Sequence, residues 1–293
     1  MRSALFVPGD SEKKLEKALG SGADALIIDL EDSVSADAKA AARKIAARFL
    51  SEAKAQGPRP RLFVRVNGLE TQAIDDDLDA IMRSAPDGIV LPKSLGGASV
   101  QHLGARLAVH EAQSGLVDGS TRIIAIATES ARAMFGLGSY VGCSARLEGL
   151  AWGGEDLSAD LGARTNRLPG GAYAAPYQLA RSLTLIGACA AQVVAIDSAF
   201  ADFHDSEGLR EEAEGGAREG FGAKLAIHPA QIEIIHAAFT PSREALAEAR
   251  AIVAAFAASP GAGVVARNGA MLDRPHLLRA KRTLARAAPG EGG

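Results

Sequence analysis

Short runs rich in Val, Ile and Leu alternate along this chain with longer Ala-, Arg- and Glu-rich segments, and the alternation repeats eight times. The candidate strands are residues 5–8, 25–30, 62–66, 88–91, 122–128, 147–152, 193–197 and 224–227. They are continuously apolar, the pattern of parallel strands covered on both faces. Between them lie helical segments at about 10–20, 35–56, 71–84, 99–114, 131–142, 173–191 and 206–219, several opening on Ser or Asp and closing at Gly. Eight βα units predict an α/β protein of the (β/α)₈ TIM-barrel type. A doubly wound open sheet is the alternative, but it usually has fewer strands and a glycine phosphate loop near its start. With 293 residues, 47% of them apolar, the chain is long enough for one large core.

After the eighth strand come helical segments at about 229–238 and 242–258. Ser259-Pro260-Gly261-Ala262-Gly263 then breaks the pattern, and a basic helix at about 274–288 leads to a Gly-rich end. The expected organisation is a barrel over 1–258, then a flexible linker and small helical lid over 259–293.

In such barrels the chemistry sits at the C-terminal ends of the strands. Strand two ends in Asp29-Leu30-Glu31-Asp32-Ser33, three in Arg65-Val66-Asn67 and four in Pro92-Lys93. Strand five gives Glu129, six Asp156, seven Asp197 and eight His228. Seven consecutive strand ends thus carry polar or titratable groups, which a purely structural barrel does not require. Glu129 and Asp156 end neighbouring strands, and two convergent carboxylates with room for water suit Mg²⁺. Each residue also has a plainer reading. Glu129 is well placed as a helix N-terminal acid, Asp156 as the cap of the following turn, and Arg65 as a core ion-pair partner of Glu31 or Asp32. Lys93 also reads as a rim lysine, Asp197 as a loop cap and His228 as a structural histidine.

Net charge is −3, which gives no global field for nucleic acid or an acidic membrane. The two cysteines, Cys143 and Cys189, lie far apart and form no metal spacing. No stretch reaches the ~18 apolar residues of a membrane span, and the first apolar run is too short for a signal-peptide core. A cytoplasmic protein is expected. Gly136-Leu137-Gly138 follows a helix rather than a strand, which is the wrong context for a dinucleotide loop.

Several motifs occur in a telling order: Leu5-Phe6-Val7-Pro8-Gly9, Asp29-Leu30-Glu31-Asp32-Ser33-Val34, Arg65-Val66-Asn67, Leu91-Pro92-Lys93, Thr128-Glu129-Ser130, the stretch from Gly153 to Gly162, Ile227-His228-Pro229 and Met271-Leu272-Asp273. With them the chain resembles the CoA-ester lyases of the citrate lyase β-subunit and malyl-CoA lyase type, within the HpcH/HpaI aldolase group. The resemblance implies a Mg²⁺ ion (Mn²⁺ as a substitute) held by Glu129 and Asp156. It implies that Arg65 binds the carboxylate or oxyanion of a 2-oxo acid, and that the lid carries Asp273 into a neighbouring subunit's site. A homotrimer or homohexamer would follow. Ala223 and Ala270 depart from the family pattern, which has Gly and Lys there.

The expected activity is Mg-dependent carbon–carbon cleavage, or formation, of a 3-hydroxyacyl-CoA ester such as malyl-, citramalyl- or citryl-CoA, giving a 2-oxo acid and an acyl-CoA. Arg65, Glu31, Asp32 and Asp273 are the expected catalytic residues, with Glu31 and Asp32 orienting Arg65 or waters around the cation. Arg65, Glu129 and Lys93 are expected to contact substrate. Arg2, Lys13 and Lys14 are candidates for the CoA phosphates. The alternatives are a malyl-CoA-type thioesterase on the same scaffold and a carrier-protein-dependent citrate lyase β subunit. The expected partners are small molecules, with neither nucleic acid nor membrane among them.

Overall fold

A computed structural model describes residues 1–267 and 269–287. The chain forms two compact units, Met1–Ile235 and His236–Gly293. In the first, eight parallel strands close into a barrel, each paired with the next and the last with the first. They are β1 Ser3–Pro8, β2 Ala25–Asp29, β3 Arg61–Arg65, β4 Gly88–Leu91, β5 Arg122–Ile126, β6 Leu147–Ala151, β7 Val194–Asp197 and β8 Ala223–Ala226. Helices α1 Glu12–Leu19, α2 Lys39–Lys54, α3 Ala73–Ile81, α4 Gly97–Ser114, α5 Ala131–Met134, α6 Glu155–Asp160, α7 Ala175–Ala191 and α8 Ser206–Glu219 join them. This is the (β/α)₈ fold that the alternation predicts.

Alternation along each strand decides which side chains enter the barrel. Ala25 and Ile27 of β2, Phe63 of β3, Val90 of β4 and Ile124 and Ile126 of β5 share one buried cluster. Phe63 is so close to β4 that a Cβ on Gly88 would meet its ring at 2.4 Å, so only glycine fits there. Continuing the same parity brings Asp29 and Arg65 inward at the ends of β2 and β3, where they are register partners.

The opposite, N-terminal end of the barrel is tied by ion pairs. Arg2 meets Asp24 at 3.1 Å and Arg61 meets Glu148 at 2.5 Å. Arg2 therefore stands at the end away from the strand termini that carry the acids, which removes it as a CoA-phosphate candidate at that mouth.

α9 Gln231–Phe239 runs through the division between the units. The second unit holds α10 Arg243–Ala257, β9 Val264–Arg267, β10 Ala270–Asp273 and α11 Arg274–Ala285. α10 packs along α11, so it belongs with the C-terminal unit rather than with a barrel extending to residue 258. The expected linker also differs. Residues 264–267 and 270–273 form an antiparallel ribbon in which Val265 pairs with Leu272 and Val264 with Asp273. The hydrophobic pattern there is two short apolar runs, and Gly269 at φ +77° adopts a turn conformation that suits glycine. The Gly-rich end that follows lies outside the described residues. Among the described residues no helix is long and apolar enough to cross a membrane.

Candidate active site

Asp29 and Arg65 form the anchor of the mouth. Arg65 donates from Nε to Asp29 Oδ1 and from Nη2 to Asp29 Oδ2, both at 2.7 Å. Its Nη1 lies 3.0 Å from Glu31 Oε2 and 3.6 Å from Asp32 Oδ2. The Nη1–Glu31 contact is an ion pair by distance, but its angles are not those of a hydrogen bond. Glu31 Oε2 is therefore a buried oxygen with no hydrogen bond among the described residues. Burial pushes the Asp29 carboxyl up, yet the Arg65 bonds outweigh it and hold the group below its usual range. Asp29 was not among the expected site residues, although it opens the acidic strand end. Strand parity is the signal that would have separated it from its neighbours.

Lys93 bridges two acids in different ways. It sits at φ +52°, a left-handed conformation uncommon for a lysine. That turn aims its backbone N–H at Glu129 Oε2, 2.5 Å away, while its Nζ reaches Glu31 Oε1 at 2.5 Å. Burial pulls its ammonium down, but Glu31, Asp32 and Asp156 more than offset this, so it stays charged. Glu31 itself is pushed up by burial, against the pull of Arg65 and Lys93.

Glu129 is buried at 5% exposure. The helix-cap reading of it is not needed, because Ser130 Oγ accepts from Ala133 N–H at 3.2 Å and caps α5. Burial pushes the Glu129 carboxyl up and the Lys93 amide draws it back. Asp156 and Glu31 push it up again, to about 8. Asp156 lies in the first turn of α6, and its side chain makes no hydrogen bond or ion pair among the described residues. Gly153 brings the β6 loop hard against the acid on β5: a Cβ there would sit 2.9 Å from Glu129 Cγ.

A cavity of about 490 Å³ at the C-terminal mouth is lined by Asp29, Asp32, Arg65, Glu129, Trp152 and Asp156 among others; Glu31 and Lys93 are not in its lining and reach it only through Arg65 and Glu129. Carboxyl groups outnumber the two cations, Arg65 and Lys93. A buried carboxyl raised by a neighbouring carboxylate is the electrostatic situation that a bound cation relieves. Among the described residues no three His, Cys, Asp or Glu side chains are grouped to hold a metal ion. A cation here would rest on Glu129 and Asp156, with its other positions left to water and substrate. The residues present fit that arrangement.

Other expected polar ends fall elsewhere. Asn67 donates to Asp77 Oδ2 and to the Leu30 carbonyl, and so ties β3 to α3. Asp197 is fully buried and does not line the cavity; it pairs with Arg181 and Trp152. His228 stacks on Phe203 at 4.9 Å, and its Nδ1 accepts from Ala230 N–H. Asp273 ends β10 in the second unit, where it caps α11 and holds His276 Nδ1 at 2.5 Å.

A barrel that gathers carboxyl groups and a fixed guanidinium at the C-terminal ends of its strands has the site architecture of the (β/α)₈ enzymes. The sequence matches the HpcH/HpaI aldolase/citrate lyase family over residues 2–229, and the chain belongs to that family. It is 37% identical to a (3S)-malyl-CoA thioesterase of Cereibacter sphaeroides, over 98% of this chain and 94% of that protein. It is 33% identical to the citrate lyase subunit beta of Leuconostoc mesenteroides subsp. cremoris, over 97% and 92% of the two chains. Among solved structures, CitE from Mycobacterium tuberculosis in complex with magnesium, acetoacetate and coenzyme A is similar with a TM-score of 0.79. The identity is 33%, covering 98% of this chain and 97% of that one.

Proposed function

We propose that this protein is a Mg²⁺-dependent carbon–carbon lyase acting on a 3-hydroxyacyl-CoA ester of the malyl-, citramalyl- or citryl-CoA kind. The observation that carries the reading is the Glu129 carboxyl, driven up by burial and further by Asp156, in a cavity that also presents Asp156 and Arg65. The complex of the related CitE with magnesium, acetoacetate and coenzyme A supports the same ligand classes here.

Glu129 and Asp156 would hold the cation. It would supply Lewis acidity and a template for an acid that chelates through a carboxylate and a neighbouring oxygen. Arg65, a planar and permanently charged fork, offers the edge that Asp29 leaves free, Nη1 and the second Nη2 hydrogen, to the substrate carboxylate or the developing oxyanion. Asp29 fixes that fork from behind, so no reorganisation is needed as charge develops. Lys93 holds Glu31 beside Arg65 and sets the Glu129 carboxyl through its amide. In the cleavage direction the substrate hydroxyl loses its proton and the carbon–carbon bond breaks. The electron pair passes to the acyl-CoA fragment as an enolate, which then takes up a proton. Asp273, exposed on the second unit, is the proposed visitor from a neighbouring copy in a homotrimer or homohexamer. To act there, its carboxylate must release or share its bond to His276.

The malyl-CoA thioesterase relative favours a second reading, hydrolysis of the thioester on the same scaffold. Incubation of the purified chain with malyl-, citramalyl- and citryl-CoA, with and without Mg²⁺, separates the two. Lysis yields a 2-oxo acid and an acyl-CoA, whereas hydrolysis yields free CoA and the intact hydroxy acid. Full activity in EDTA would overturn both metal-dependent forms. Activity only with a carrier-bound thioester would point instead to a citrate lyase β subunit.

A further inference from the structure

Behind the β6 end lies a second charged cluster that the proposed chemistry does not use. Asp197 is fully buried, and Oδ1 accepts from Trp152 Nε1 at 2.7 Å. Arg181 grips the same carboxylate with Nε at 3.1 Å and Nη2 at 3.0 Å. Lys224, also fully buried, stands 3.9 Å from Oδ2 and donates to Glu212 and to the Ser198 carbonyl. Asp197 and Lys224 are register partners on β7 and β8.

Trp152 connects this cluster to the cavity. Its indole lies at the mouth and meets Tyr173 edge-on at 4.9 Å. The ring also backs the loop that follows it: a Cβ on Gly154 would meet Trp152 Cζ3 at 3.1 Å. Asp156 is two residues further along. An indole locked at its nitrogen therefore sets where the Gly153-Gly154 turn delivers that carboxylate.

We propose that Asp197 is a positioning residue for the cation site, acting on Asp156 through Trp152. The inference rests on the reading of Glu129 and Asp156 as cation ligands. Asp197 Oδ1 accepts from the Trp152 indole and from Arg181 Nε, while Oδ2 accepts from Arg181 Nη2 and faces Lys224. An amide has only one accepting atom, so Asp197→Asn must weaken one set of bonds. Trp152→Phe removes the indole donor and leaves the Asp197–Arg181 pair in place.

The test is calorimetric titration of the metal-free protein with Mg²⁺ for wild type, Asp197→Asn, Trp152→Phe and the double variant, beside thermal unfolding of each. Trp152 is the only tryptophan in the chain, so its emission reports the loop directly in wild type and Asp197→Asn. Each single variant should bind Mg²⁺ about tenfold or more weakly, the range found for partners that orient metal ligands. The double variant should bind no more weakly than the worse single, because both act through one contact. In Asp197→Asn the Trp152 emission should shift before any Mg²⁺ is added.

Lower unfolding temperatures with unchanged Mg²⁺ affinity would make the cluster purely structural and overturn the inference. Losses that multiply in the double variant would overturn the route through Trp152. If Asp197→Asn does not fold, Trp152→Phe alone decides: unchanged Mg²⁺ affinity in that variant overturns the inference. Absence of Mg²⁺ binding by the wild type would sink the underlying reading and the inference with it, a result distinct from wild-type binding that the variants share.

Discussion

Arg65 is held by Asp29 through two parallel hydrogen bonds of 2.7 Å between adjacent barrel strands. The pair fixes a guanidinium at the mouth without using the carboxyl groups of Glu129 or Asp156. Lysine cannot reproduce that fork. Arg65→Lys is expected to lower kcat/KM ~100-fold or more if the guanidinium meets transition-state charge. A steady-state assay on the lyase substrate checks this, and an unchanged rate would leave Arg65 a structural residue.

Removing either proposed ligand charge should abolish metal-dependent turnover while sparing the fold. Glu129→Gln keeps an acceptor for the Lys93 amide and removes a buried acid that burial and Asp156 disfavour as a carboxylate. Its unfolding temperature is expected to equal or exceed that of the metal-free wild type at pH 8. Asp156→Asn should change stability little, since that side chain makes no hydrogen bond among the described residues and its repulsion of Glu129 opposes its attraction to Lys93. Mg²⁺ titration and thermal unfolding read both outcomes. A variant that turns over at the wild-type rate with Mg²⁺ would remove its residue from the ligand set.

Gly153 has no room for a side chain beside Glu129. Gly153→Ala places a methyl 2.9 Å from Glu129 Cγ, close to the backbone end of that side chain, so the carboxyl must move. Weakened Mg²⁺ binding with a folded circular-dichroism spectrum is the expected result. Wild-type affinity would show that the β5 and β6 ends adjust independently.

At the far end of the barrel, Glu111 predicts acid sensitivity. Burial pushes its carboxyl up, but Arg146 and the Thr121 and Gly119 amides pull it down further, to about 2 from 4.5. A depressed carboxyl contributes stability that is present above its unfolded value and lost as pH falls toward its folded one. Glu111→Gln should therefore cost roughly 3 kcal/mol at pH 7. The gap to wild type should narrow as pH falls below 4.5. Urea unfolding at pH 7, 5 and 3 measures it, and a gap that stays constant would refute the linkage.

The eightfold alternation was enough to specify a closed parallel barrel, because continuous apolar runs require cover on both faces and each βα unit supplies it. The clustering of acids at strand ends was legible for the same reason. The ribbon of the second unit has its own signal in the sequence, Asn268-Gly269 between two short apolar runs, which the Gly/Pro-rich break just before it obscures. The sequence alone does not separate α10 from the barrel, because amphipathic spacing does not name the partner of a helix. Its packing against α11 does.

The linear sequence placed Asp29, Glu31, Lys93, Glu129, Asp156 and Asp197 together at strand ends, because polarity and strand length are written in residue order. Tertiary structure alone sorted them. Strand parity turned Asp29 inward to hold Arg65, whereas Asp197 lies away from the cavity among Arg181, Lys224 and Trp152. The left-handed turn at Lys93 aimed an amide at Glu129, and burial beside Asp156 changed that acid's proton affinity. Such effects depend on distance and desolvation between groups far apart in the chain, and those exist only once the barrel has closed.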